Sequence, residues 1–202
     1  MTVRLLLADD QVLVRQALRA LLELEDDFTV VAETGRGDEV LDAAREHRPD
    51  IALLDIEMPG LDGLAAAALV TEHVPGTRVV VLTTFGRAGY LRRAMDAGAV
   101  GFVVKDAPAE ALADAIRRVH SGERVVDPAL AVATLAAGES PLTARERDVL
   151  IAARSGSSVA GIAGSLHLSE GTVRNYLSAA IAKTATRNRI EALRVAEERG
   201  WL

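Results

Sequence analysis

The 202-residue sequence predicts an α/β unit, a parallel sheet wound on both faces by helices, followed by a smaller all-α unit of four helices. Three observations carry the prediction. Short apolar runs recur through the first part of the chain and alternate with stretches of helical periodicity, which is the pattern of repeated βα units. Beyond residue 141 the strand-like runs stop and only helical spacing remains. Charge divides at the same place: residues 1–140 hold 14 Lys and Arg against 23 Asp and Glu, whereas residues 141–202 hold 9 against 6. An acidic module joined to a basic one suggests that the second approaches nucleic acid.

The elements follow in order. VRLLLA (residues 3–8) reads as a first strand and leads to a helix over 11–24; a second strand over 29–32 leads to a helix over 37–47. IALL (51–54), RVVVL (78–82) and GFVV (101–104) are three further strands, with helices over 62–73, 88–97 and 109–119. Runs this short and this apolar are expected of strands covered on both faces. Five βα units give a doubly wound, flavodoxin-like sheet. Residues 121–140 then read as a linker, with two glycines, a proline and a short helix over 129–137, broken at Gly138 to Pro141. The remainder, 141–202, is helical. Thr143 with Glu146 forms a capping box that opens a helix running to about Arg154. A short helix over 160–166, a turn at 167–169, a helix capped by Ser169 and running to about Lys183, and a last helix over 189–199 complete a helix-turn-helix pattern.

Composition narrows the function classes. Half of the residues are apolar, enough for a sizeable core, and none is cysteine, which excludes disulfides, thiol nucleophiles and zinc–thiolate sites. No run approaches the ~18 apolar residues that span a bilayer, and the N-terminus enters a strand without the features of a signal peptide. A cytoplasmic protein with no direct membrane insertion is expected.

The residues that end the apolar runs are polar: Asp9 and Asp10, Asp55, Thr83 and Lys105. In an open parallel sheet the carboxyl ends of the strands meet at one rim, where ligands bind. Carboxylates brought to one spot repel unless a hard divalent cation sits among them, and Mg²⁺ suits such oxygens. Lys105 adds a positive charge suited to a bound phosphoryl group, and Asp55 becomes the candidate nucleophile for an acyl phosphate. Taken singly each residue has a plainer use, the acidic pair as a helix cap, Asp55 as a turn residue before Pro59 and Gly60, Lys105 as a solvated lysine. Their joint occurrence at four strand ends favours the site.

With Asp55 followed by Met58-Pro59-Gly60 and with Thr83 and Lys105 in order, this segment resembles the receiver domain of two-component response regulators, over residues 1–120. The resemblance implies that Asp55 is the phosphoacceptor, Asp10 a direct Mg²⁺ ligand, Asp9 an outer ligand or a partner of Lys105, and Glu57 a ligand through its backbone carbonyl. It implies that Thr83 bonds the phosphoryl oxygen, and it places Phe102 as a moving switch residue, the plain alternative being a core or surface aromatic. A sensor histidine kinase is the implied phosphoryl donor, with Tyr90, Arg92 and Arg93 on the surface that shifts and homodimerisation as the outcome.

LTARERDVL, LSEGTVRNYLS and RNRIEAL resemble the helix-turn-helix domain of LuxR/NarL-type (FixJ) regulators, over residues 141–202. The resemblance makes the helix opened by Ser169 the recognition helix for double-stranded DNA, with Thr172, Arg174, Asn175 and Tyr176 as its contact set. Arg174 is expected at a base, and Ser169, Thr172 and Lys183 at phosphates. The last helix, around 190–195, would supply dimer contacts. The sequence departs from that family at Val159, Ala160 and Gly161, where a buried carboxylate is lost. Gly161 and Gly164 weaken the short helix by ~1 kcal/mol each, and Ala180 and Thr184 stand where large apolar residues are expected, so a loosely packed core is anticipated. The runs LEDD, DIEMPG, LTTF, GTVRNY and RNRIEA are similar to DesR-type regulators of membrane lipid desaturation, which implies a membrane-bound kinase. The rival reading is a helical tail that contacts protein in place of DNA. An enzymatic reading is disfavoured: Asp9-Asp10-Gln11 would repel an FMN phosphate, and the last 62 residues hold no catalytic cluster.

Overall fold

A computed structural model describes residues 2–84, 88–136 and 140–202. Phe85 of the LTTF run, Ala137 of the predicted linker helix, and Gly138 and Glu139 of the predicted break lie outside the described residues. The chain folds into two compact units, one built on a sheet and one on four C-terminal helices.

In the first unit, strands β1 (Val3–Ala8), β2 (Phe28–Thr34), β3 (Ile51–Asp55), β4 (Arg78–Thr83), β5 (Gly101–Val104) and β6 (Val125–Val126) form one all-parallel sheet in the order β2-β1-β3-β4-β5-β6. Helices α1 (Val12–Leu22), α2 (Val40–His47), α3 (Gly63–His73), α4 (Ala88–Asp96) and α5 (Ala109–His120) connect the first five strands in turn and lead on to β6. Every residue of β3 is buried, and Leu5, Leu6, Leu7, Ile51, Leu53 and Leu54 are essentially solvent-free. Each such Leu or Ile contributes about 1.5–3 kcal/mol by burial, which is why these runs carry no alternating polar face.

The sheet departs from the sequence expectation in three places. β2 is longer than predicted and slips register against β1 between Leu5 and Leu6, so that Val31 is the extra residue. The stretch ahead of α2 is a 3₁₀ turn at Gly37–Glu39 in place of helix. The segment read as a linker contains β6, which pairs with Gly101 and Phe102, and a helix α6 (Pro128–Ala136). A two-residue strand between Arg124 and Asp127 has no periodicity for sequence reading to detect.

The second unit holds α7 (Ala144–Ala153), α8 (Val159–Leu166), α9 (Glu170–Lys183) and α10 (Arg189–Glu198). Every N-terminus is capped as the local sequence demands. The Thr143–Glu146 capping box forms in full, Ser158 caps α8, Ser169 caps α9, and Asn188 accepts from Ile190 and Glu191 at the start of α10. Between α8 and α9 the chain turns through His167 in the left-handed region at φ 54°. The core gathers Val149, Leu150, Ile162, Val173, Leu177, Ala180, Ala192, Ala196 and Trp201. Thr184, the polar residue at a core position, donates its hydroxyl to the carbonyls of Ala180 and Ile181 at 2.8 and 3.1 Å. Burial therefore leaves no orphaned donor there. Among the described residues no helix is long and apolar enough to cross a membrane.

Candidate functional site

The order β2-β1-β3 places the switch in winding direction between β1 and β3. Asp9 and Asp10 follow β1, Asp55 ends β3, Thr83 ends β4 and Lys105 follows β5, so all five lie along one rim. Asp9, Asp55 and Thr83 are buried, whereas Asp10 is exposed.

One ammonium bridges two of the acids. Lys105 Nζ lies 2.7 Å from Asp9 Oδ2 and 3.0 Å from Asp55 Oδ1, with the lysine side chain only 9% exposed. Asp55 Oδ1 also accepts the N–H of Ile56 at 2.8 Å. Asp9 Oδ1 accepts the N–H of Gln11 at 2.9 Å, closing the turn ahead of α1. The N-cap position of α1 is Gln11, which makes no side-chain cap, so the acidic pair is not a simple helix cap. Burial raises the Asp55 carboxyl above the usual aspartate range, against the pull of Lys105, and the nearby charge of Asp9 raises it further. Burial also works against the Lys105 ammonium, but hydrogen bonds to Asp9 and Asp55 outweigh it, and the lysine is held above its ordinary range.

Three carboxylates against one ammonium leave the centre short of positive charge. Oxygens of Asp9, Asp10 and Asp55 lie within 4.8 Å of one another. Asp10 has no hydrogen-bond or ion-pair partner among the described residues. A small oxygen-seeking cation fits this donor set. Glu57, the second residue beyond β3, is exposed. Gly63 at the head of α3 packs so closely that any side chain there would strike the Asp55 carbonyl, which fixes the loop carrying Glu57 against the strand end.

Phe102 is 2% exposed on β5, opposite Val81 on one side and Val126 on the other. In this conformation it is a core aromatic. Sequence reading gave no role to Arg15, whose Nη1 donates to the backbone carbonyl of Asp9. Nothing in a one-dimensional pattern links a helix arginine to a main-chain oxygen.

In the second unit, Val173, Leu177 and Ala180 turn α9 inward, and Arg174 and Asn175 are exposed on the outer face. Arg174 Nη2 donates to Glu170 Oε2, one turn earlier on the same helix, at 2.5 Å. Ser169 and Thr172, expected at phosphates, are hydrogen-bonded to each other through their hydroxyls at 2.8 Å. Tyr176 is half-buried and packs against the helical core. Lys183, also expected at a phosphate, reaches Glu146 Oε2 at 2.8 Å. Glu146 is itself buried, so this unit keeps a buried carboxylate although the one expected ahead of Ile162 is missing.

Comparison with known proteins bears on both units. The response regulator receiver domain family matches residues 5–117, and the luxR family of bacterial regulatory proteins matches residues 140–196. The chain belongs to the luxR-type response regulators. The regulator is 43% identical over 200 residues to the uncharacterised transcriptional regulatory protein YvfU of Bacillus subtilis, covering 99% of this chain and all of that one. It is 41% identical to the transcriptional regulatory protein DesR of the same organism, covering 98% of each. The crystal structure of ChrA, the response regulator of a heme-sensing two-component system, matches with a TM-score of 0.60 at 33% identity over 100% of this chain and 99% of that one. The regulator is thus a transcription factor with an N-terminal receiver, and its similarity to DesR extends over the full length.

Proposed function

We propose that this regulator is switched by phosphorylation of Asp55 and reads DNA with α9. The observation that carries the reading is the excess of carboxylate over ammonium at the rim, three acids against Lys105, in a centre that holds its nucleophile buried and oriented. Among the described residues both polar contacts to the Asp55 carboxylate fall on Oδ1, which leaves Oδ2 to attack phosphorus. The bond from phosphorus to the imidazole nitrogen of a phosphohistidine breaks, the electron pair stays on the departing nitrogen, and an acyl phosphate forms on Asp55. Lys105 stands ready to bind the transferred oxygens, since phosphoryl transfer depends mainly on positioning and charge neutralisation. Mg²⁺, when held by Asp10, Asp55, the Glu57 carbonyl and, through water, Asp9, supplies the remaining positive charge. The Thr83 hydroxyl closes on a phosphoryl oxygen, and the change passes to the α4 surface bearing Tyr90, Arg92 and Arg93.

Phosphorylated receivers pair as a homodimer and bring two helical units to successive half-sites on double-stranded DNA. Arg174 reads a base, Asn175 and Tyr176 flank it, and Ser169 and Thr172 face phosphates, whereas Lys183 serves the fold through Glu146. We assign residues 1–120 to the receiver, 121–140 to the connecting segment with β6 and α6, and 141–202 to the DNA-binding unit. The partner is a sensor histidine kinase, membrane-bound as in the DesR-type resemblance, and the regulator works in the cytoplasm.

The test is fluorescence anisotropy on a selected operator duplex and a scrambled one, with and without phosphorylation by a small acyl-phosphate donor and Mg²⁺. Phosphorylation is expected to tighten operator binding in the wild type and to have no effect in Asp55→Asn. Arg174→Ala is expected to cost about 1–3 kcal/mol on the operator and little on the scrambled duplex. Equal binding of both duplexes in every state would overturn the reading.

A further inference from the structure

We infer that Arg15 is a positioning residue for the acidic centre, acting through the peptide that joins Asp9 to Asp10. The inference rests on reading the three carboxylates as a cation site. Each polar handle of Asp9 is occupied by a different partner. Its N–H donates to the Thr34 carbonyl at 3.1 Å, Oδ1 accepts from Gln11, and Oδ2 meets Lys105. Its carbonyl is held by Nη1 of Arg15. A peptide is planar, so fixing the Asp9 carbonyl fixes the plane from which Asp10 departs. Asp10 has no such support of its own. The peptide that carries Asp10 into the site is therefore held from behind, by a guanidinium with no contact to the three carboxylates among the described residues.

The guanidinium is itself braced. Arg15 Nε lies 3.6 Å from Glu33 Oε2 on β2, and the other oxygen of Glu33 pairs with Arg19, which in turn pairs with Glu23. Arg15 is only 17% exposed, and Gly35 leaves it room: a Cβ at that position would stand 3.2 Å from Nη1. A solvated surface arginine needs none of these arrangements. Groups behind the direct ligands typically change metal affinity 10- to 100-fold when removed, because they orient what they hold.

The sign of the effect separates positioning from charge. Arg15 is a cation near a site that takes a cation, so on electrostatics alone its loss would tighten metal binding. Loss of positioning weakens it. The experiment uses the full-length protein and Mn²⁺ as the probe, with free Mn²⁺ read by electron paramagnetic resonance and the melting midpoint recorded for each variant. Wild type is expected to bind and Asp10→Asn to bind much more weakly; if the two behave alike, the cation reading of the centre fails and the Arg15 inference falls with it. Given that difference, Arg15→Met is expected to raise Kd by about tenfold at an unchanged melting midpoint, and Arg15→Lys, which keeps the charge and one donor, to recover most of the loss. Gly35→Ala crowds the guanidinium while leaving every charge in place, so it tests the inference even if Arg15→Met folds poorly. It is expected to shift Kd in the same direction by a smaller factor. Unchanged or tighter Mn²⁺ binding in Arg15→Met or Gly35→Ala overturns the inference, as does an Arg15→Lys variant no better than Arg15→Met.

Discussion

Two buried carboxylate–lysine centres in this molecule are built from the same chemistry and end in opposite states of charge. In the receiver, Lys105 meets Asp9 and Asp55 with Asp10 close by, and negative charge is left over. In the helical unit, Lys183 meets Glu146 alone among the described residues, that carboxylate also accepts the N–H of Thr143 at 2.7 Å, and the charges balance. Their exposure differs too: the Lys105 side chain is 9% exposed and that of Lys183 36%. The first centre is an acidic cluster with charge to spare and the second a completed helix cap. Charge balance, more than burial or distance, tells the functional pair from the structural one.

Substituting the lysines sharpens the contrast most. Lys105→Met is expected to slow phosphorylation from a small acyl-phosphate donor by about 10²–10³-fold, the usual effect of losing one preorganised charge on a transferring group. The same variant is expected to bind Mn²⁺ more tightly, since a competing cation is gone; weaker Mn²⁺ binding would break the comparison. Lys183→Met is expected to leave the phosphorylation rate unchanged and to lower the stability of the helical unit by about 1 kcal/mol. Calorimetry of the unphosphorylated chain measures that shift.

Glu146→Ala removes both the ion pair and half of the capping box and is expected to cost about 2 kcal/mol in the same unit. Receiver phosphorylation serves as the internal control and is expected to be intact. A pH titration of stability gives the smallest effect. Burial alone would push the Glu146 carboxyl up, but hydrogen bonds from Lys183 and Thr143 outweigh it and hold it below the ordinary glutamate range. A carboxyl depressed on folding adds stability above its unfolded pKa and loses it as pH falls through the folded value. The melting midpoint of the helical unit is thus expected to drop on acidification below about pH 4.3, and Glu146→Gln to flatten that part of the curve.

The receiver centre was legible in the sequence because buried strands have no polar residues of their own. A polar residue ending an apolar run stands out, and the fold brings such endings together at one rim. Two helix starts were legible for a related reason, since Thr143 and Ser169 advertise their caps locally. What sequence reading missed depends on long-range pairing. Lys183 reads as a phosphate contact because it lies on the recognition helix, and its partner Glu146 stands 37 residues away on α7. Arg15 was invisible because it serves a main-chain oxygen, and β6 because two residues carry no period.

That short strand bears on how the receiver is handled in isolation. A fragment ending at residue 120, where the sequence suggests the domain stops, lacks Val125 and Val126 and uncovers the outer edge of β5, including the Val100 carbonyl that accepts the N–H of Val125 at 3.0 Å. An uncovered sheet edge is a template for another chain. In the intact protein, β6 occupies that edge over two residues only, and Asp127-Pro128 follows at once, where proline offers no N–H to extend the ladder. The segment between the units thus guards the sheet against self-association, and a receiver fragment carried through residue 131 is expected to stay monodisperse by light scattering where one cut at 120 aggregates.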